Sequence, residues 1–142
     1  MTERQISLVQ KTWGLFRKMD PDIIGDVFYS RLFLEMPAVR RLFKTPRHEQ
    51  NKRLIEMLTV IVGRLNRLHE LTTDIQQLAL RHVGYGVKRM HYEVVGSALL
   101  WTIEQGLGND WTPEVREAWT KCYATVADTM IKASGYPSET LN

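Results

Sequence analysis

Between Leu71 and Val87 an apolar stripe at helical spacing ends on an imidazole. Leu71, Ile75, Leu78 and His82 stand at offsets of four, seven and eleven. At about 100° per residue these four side chains share one face of a helix. The histidine therefore points where a core residue belongs, and Gly84 and Gly86 follow it to stop the helix. Two readings stay open from this stretch alone. One is a core histidine satisfied by a backbone carbonyl. The other is a neutral imidazole presented to a metal.

The same period runs through the rest of the chain. Thr2 and Gln5 form a capping box, and Ile6, Val9, Trp13 and Phe16 follow it. Asp20-Pro21 caps and opens a second helix reaching about Leu34, and Met36-Pro37 opens a short one carrying Val39, Leu42 and Phe43. After Thr45-Pro46 a helix is predicted from about Arg47 to Leu68, then the opening stretch, then His91 to Gln105, closed by Gly106 and Gly108. Thr112-Pro113-Glu114 starts a last helix, lined by Trp119, Val126 and Met130, which ends near Gly135-Tyr136-Pro137. No segment alternates with period two. The expected architecture is all-α, six long helices and one short, in a single domain over 1–142 with no reductase or output domain.

Composition narrows the function classes. Apolar residues make up 44% and charged residues 25% of 142, an ordinary globular balance with enough chain for a real core. A net charge of +3 is too mild to predict a nucleic-acid partner. One cysteine, Cys122, excludes an internal disulfide and a multi-cysteine metal site. It reads as a core thiol, and Met57 as packing. The N-terminus MTERQISLVQ has no apolar signal core, and no apolar run approaches the ~18 residues of a membrane span. A cytoplasmic protein with no stable membrane association is expected.

Three polar residues lie where chemistry is possible. Gln50 shares a face with Leu54, Met57 and Ile61, so its amide needs a partner or sits in a frayed first turn. Tyr29 lies one turn after Gly25, either as a core tyrosine with its hydroxyl at the rim or as a donor into a pocket. Tyr92 stands ten residues past His82, placed to reach the imidazole or to cap the next helix. No second histidine or carboxylate stands at helical ligand spacing from His82, so zinc and di-iron sites are poorly supported. There is no Gly-rich phosphate loop. A metal carried by a macrocycle needs one protein ligand, which is what His82 offers. Arg40, Arg41, Lys44, Arg47, Lys52 and Arg53 form a basic run with Glu49 as the acid inside it, read as a solvated face.

The segments FYSRLFLEMPAVRRLF, ALRHVGYGV, HYEVVGSALLWTIEQGLG and EAWTKCYATVADTMI resemble the globin family. Within it they are similar to bacterial single-domain globins related to the haem domain of flavohaemoglobins, over nearly the full length. The resemblance implies the globin fold, with haem b sandwiched between two helices. It implies His82 as proximal iron ligand, Phe43 packed on the porphyrin and Pro37 opening the short helix. It implies Tyr29 and Gln50 as distal hydrogen-bond donors, Leu54 beside them, and Tyr92 as partner of the proximal histidine. Leu78, Val87, Val95, Leu99 and Val126 are expected to wall the porphyrin, and Arg53 and Arg81 to pair with its propionates.

One departure stands out. Flavohaemoglobins extend the proximal network to a glutamate on the last helix, and Ser134 is the matching position here. A serine supplies no negative charge, so proximal activation should be weaker. The implied function is reversible binding of O2, NO and CO, and conversion of NO and O2 to nitrate with electrons from an external reductase. Two alternatives belong to other classes. One is a six-coordinate sensor or electron carrier with His48 as extra ligand. The other is a haem-free helical interaction module.

Overall fold

The computed structural model describes residues 1–135. Six α-helices lie among them: α1 (Glu3–Phe16), α2 (Pro21–Glu35), α3 (Arg47–Gly63), α4 (Thr72–Gly84), α5 (His91–Leu107) and α6 (Pro113–Ser134). Short 3₁₀ segments at Pro37–Leu42, Leu65–Leu71 and Gly108–Asp110 join them, and no strand occurs among the described residues. The all-helical architecture expected from the sequence is therefore the one found. No helix is long and apolar enough to cross a membrane among the described residues. The stop expected at Tyr136-Pro137 lies outside the described residues.

Local chemistry sets the helix ends. Thr2 Oγ1 accepts from the Gln5 amide at 3.1 Å while the Thr2 amide donates to Gln5 Oε1 at 2.9 Å, completing the capping box. The Asp20 carboxylate accepts from the Asp22 amide at 2.9 Å, with Pro21 preset for the first turn. Thr112 Oγ1 does the same for Val115 at 3.2 Å.

One boundary differs from expectation. The helix expected to run from Arg47 to Leu68 ends at Gly63, and the chain continues as the 3₁₀ segment Leu65–Leu71 with a non-helical Arg67 (φ −140, ψ 40). Leu65, Leu68 and Leu71 are spaced by three, which a 3₁₀ turn eclipses on one side. The same leucines therefore keep facing inward after the α-helix has stopped.

The apolar interior falls into two clusters. The larger joins Val9, Trp13 and Phe16 of α1 to Phe28 and Leu32 of α2, Ile103 of α5 and Trp119 of α6. The smaller holds Leu71, Ile75 and Ala79 beneath α6, with Tyr92, Ala127 and Met130. Val126, Tyr123 and Leu68 border both. α4 packs on α6 and on the preceding 3₁₀ segment, and α2 packs on α3 and α5. α3 and α4 do not pack extensively on each other.

α2 and α3 cross at Gly25, where the Asn51 side chain of α3 lies against the glycine backbone. A Cβ at Gly25 would overlap the Asn51 amide. Asn51 has little room to move, being 1% exposed and donating to Asp26 Oδ1 at 3.0 Å and Asp22 Oδ1 at 3.2 Å. Gly25→Ala is expected to cost about 1–3 kcal/mol through overpacking, more than the helix-propensity gain of up to ~1 kcal/mol. Urea denaturation checks this: a midpoint at or above that of the parent protein would contradict it.

Candidate functional site

The His82 imidazole lies in the last turn of α4, half-buried, with Nδ1 2.8 Å from the Leu78 carbonyl oxygen. A carbonyl only accepts, so Nδ1 carries the proton and donates. The Nε2 lone pair is then free of that bond. The two readings left open by the sequence converge, because a core histidine satisfied by a carbonyl is also one held in the tautomer a metal requires. Burial pushes the His82 pKa below its ordinary value of 6.5, the Leu78 carbonyl opposes this, and the Arg81 charge adds to it. The imidazole is neutral at pH 7.

Gly86 fixes how the chain leaves this helix. Val87 N donates to the His82 carbonyl at 3.0 Å and Gly86 N to the Val83 carbonyl at 3.0 Å, the paired bonds of a Schellman turn. The turn puts Gly86 at φ +91, where a side chain would be strained. It returns Val87 to the small apolar cluster beside Leu78.

α2, the segment around Pro37–Leu42 and the start of α3 border a cavity of about 200 Å3. Tyr29, Phe33, Arg40, Phe43, Thr45, Arg47 and Gln50 line it. The aromatic rings pack edge to face, with Tyr29 5.2 Å from Phe43 and 4.9 Å from Phe28 between centroids. Tyr29 is 5% exposed and lines the cavity. Burial pushes its pKa up to about 12, with Arg47 opposing, so the phenol stays protonated and can only be a donor or a neutral acceptor at pH 7.

The remaining expected site residues fall as follows. Leu54 is half-buried against the larger cluster, with Val95 beside it and Leu99 inside it. Leu78 and Val87 belong with the smaller cluster, and Val126 borders both. Arg53 and Arg81 are exposed. Tyr92 is buried in the smaller cluster, and its carbonyl accepts from the Tyr123 hydroxyl. The Ser134 hydroxyl donates to the Met130 carbonyl of its own helix at 2.7 Å. The Cys122 thiol is buried, which raises its pKa to about 12 and leaves it inert.

Three placements add to the sequence reading. His48, the candidate extra ligand, is exposed and its Nδ1 sits 2.8 Å from an Asp22 carboxylate oxygen, away from the cavity. Arg40 and Arg47 are exposed, as the reading of a solvated face expects, and they also border the cavity and lie over its rings. Asn51 was not singled out at all, yet it is the fully buried amide of α3, while its neighbour Gln50 is half-buried at the cavity wall. The signal for Asn51 was Gly25, a helix-interior glycine that admits a side chain from a crossing helix.

Among the described residues no group of three or more His, Cys, Asp or Glu side chains converges. What exists among them is one tautomer-fixed imidazole on α4 and an aromatic cavity with a phenol from α2 and an amide from α3. These residues fit a macrocycle-borne metal that asks one ligand of the protein. A helical haem-pocket protein is the class these features define.

The family model described as Globin matches residues 26–130. The chain belongs to the globin family. It is 26% identical over 138 residues to the flavohemoprotein of Vibrio cholerae, covering 95% of this chain and 35% of that protein. It is 28% identical over 141 residues to the anaerobic nitrite reductase GLB0 of Physcomitrium patens, covering 89% of this chain and 77% of that one. The chain thus spans about a third of the length of the flavohemoproteins it matches. It shares its fold with a solved bacterial globin from Campylobacter jejuni, at a TM-score of 0.82, 24% identity and coverage of 94% and 96% of the two chains. Family membership implies a haem cofactor.

Proposed function

We propose that this globin holds haem b between α3 and α4 through His82 Nε2, and binds diatomic gases on the side of Tyr29 and Gln50. The observation that carries the reading is the 2.8 Å contact of His82 Nδ1 with the Leu78 carbonyl, which leaves Nε2 as the one committed ligand atom. A ferrous haem, when bound, supplies a sixth position at which O2, NO or CO attaches reversibly. Tyr29 remains a protonated phenol and donates to a polarised gas ligand. The Gln50 amide is the second donor. Phe43, Leu54, Leu78, Val87, Val95, Leu99 and Val126 are the apolar walls that exclude water, which strengthens both hydrogen bonds. Arg53 and Arg81 pair with the propionates from the surface.

The physiological role supported best is oxygen binding together with nitric oxide detoxification. Its support is the likeness to flavohemoproteins, with a phenol and an amide at the cavity. Nitrate formation from O2 and NO consumes one electron per turnover, which an external reductase supplies. His48 faces Asp22, so nothing favours the six-coordinate alternative.

Optical spectra of the haem-loaded protein test this reading. A five-coordinate ferrous spectrum that shifts on addition of CO is expected. Low-spin bis-histidine bands in the ferric state, or no Soret band after haem supplementation, would sink it.

A further inference from the structure

The surface around the turn between α4 and α5 carries cations and no acids. Residues 36–48 and 75–92 contain seven arginines and lysines and no aspartate or glutamate. The fold brings the two stretches together. A Cβ placed on Gly86 would lie 3.3 Å from Leu42 Cδ2. Burial lowers the His91 pKa, and the charges of Lys88 and Arg41 lower it further, so both cations stand near one ring. Arg41, Arg81 and Lys88 are exposed, and none has an ion-pair partner among the described residues.

Apolar side chains lie inside this basic rim. Tyr85 is 55% exposed and Met90 60%, and Leu80 and Val83 are exposed on α4. Single exposed apolar residues are ordinary, but four of them within one turn region, beside uncompensated cations, mark an interaction surface. The Tyr85 ring centroid lies 5.8 Å from that of His82. The surface thus comes within one ring of the imidazole that the gas-binding reading gives to iron.

We propose that the turn between α4 and α5, with Arg41 beside it, docks an acidic, flavin-bearing electron-donor protein on the His82 side of the molecule. The proposal rests on the gas-binding reading, which leaves ferric iron to be reduced from outside. In the step served, the partner's reduced flavin loses one electron and ferric iron gains it, with no bond made or broken in this chain. Charge complementarity selects the partner, because a basic rim steers an acidic surface into contact. Tyr85 and Met90 are the apolar centre that such a contact covers. A second copy of this chain would set the same cations against each other in a two-fold contact, which costs affinity.

The test is calorimetric titration of a purified, oxidised, acidic flavodoxin into the haem-loaded, CO-saturated ferrous protein, which reads docking without electron transfer. Saturable binding that weakens as sodium chloride is raised is expected. The double variant Arg41→Glu/Lys88→Glu should weaken it at least ~10-fold. Tyr85→Ala should weaken it with the salt dependence kept, and Lys121→Gln, in a groove between α5 and α6, should leave it unchanged. No saturation by ~1 mM flavodoxin would overturn the proposal, as would equal weakening by Lys121→Gln. Co-sedimentation with equimolar phosphatidylglycerol–phosphatidylcholine vesicles, lost in the glutamate variant, would assign the surface to a membrane and overturn it. Stopped-flow reduction of the ferric protein by reduced flavodoxin should slow in the same order as docking weakens, while reduction by dithionite keeps the parent rate in every variant. The CO spectrum reads the gas site separately. A CO band without flavodoxin docking defeats this inference alone; no CO band defeats the gas-binding reading and this inference with it.

Discussion

His82→Ala is expected to strip the protein of its haem. Removing one hydrogen-bonded neighbour of a metal ligand already costs 10–100-fold in metal affinity, and losing the ligand itself should cost more than ~100-fold. No other histidine takes over: His48 is held by Asp22, His69 is exposed on the Leu65–Leu71 segment, and His91 accepts the Lys88 amide at Nδ1 near the start of α5. The Soret band should fall and the axial spectrum change, while far-UV circular dichroism keeps its helical signal. Added imidazole should restore the axial spectrum, which a purely structural role for His82 would not allow. Haem retained with an unaltered axial spectrum would overturn the assignment.

The same residue sets a pH dependence. The His82 pKa is depressed by burial, so the native state prefers the neutral ring. A depressed native pKa means that stabilisation is present above the unfolded value of about 6.5 and is lost as pH falls through the lower native value. The proton also competes with iron for Nε2. Haem release should therefore set in below about 6.5 and not on the alkaline side.

Tyr29→Phe is expected to speed O2 dissociation about tenfold to a hundredfold. The phenol is the buried donor of the cavity, protonated because burial raises its pKa to about 12. A hydrogen bond to a partly charged acceptor in a dry pocket is worth ~1–3 kcal/mol, and each 1.4 kcal/mol is about tenfold in rate when association is unchanged. The ring contacts with Phe28, Phe33 and Phe43 survive the substitution, so packing is kept. CO carries less negative charge at its outer atom, and its release should change far less. Stopped-flow displacement of O2 by CO gives the rate, and an unchanged value would remove Tyr29 from the gas site.

How much of this was legible beforehand follows the range of the forces involved. The Thr2–Gln5 box, the Asp20-Pro21 start and the Thr112-Pro113 start were readable because each closes within four residues. The Leu71-to-His82 face was readable because a helix repeats. The break at Gly63 was not, because spacings of three and of three or four both accommodate Leu65, Leu68 and Leu71. Which of Gln50 and Asn51 is buried was not readable either. They are about 100° apart on one helix, and the choice belongs to α2, whose Gly25 opens a place for Asn51 alone.

The sequence by itself determined the helices, their caps, the inward imidazole and the likeness to globins, because periodicity and capping are local and the motifs are contiguous. Only the tertiary structure decided the tautomer of His82, the dryness of Tyr29, and the turning of Arg40 and Arg47 onto aromatic rings at a cavity. Those depend on distances between residues far apart in the chain, and the ring beneath an exposed guanidinium comes from another element.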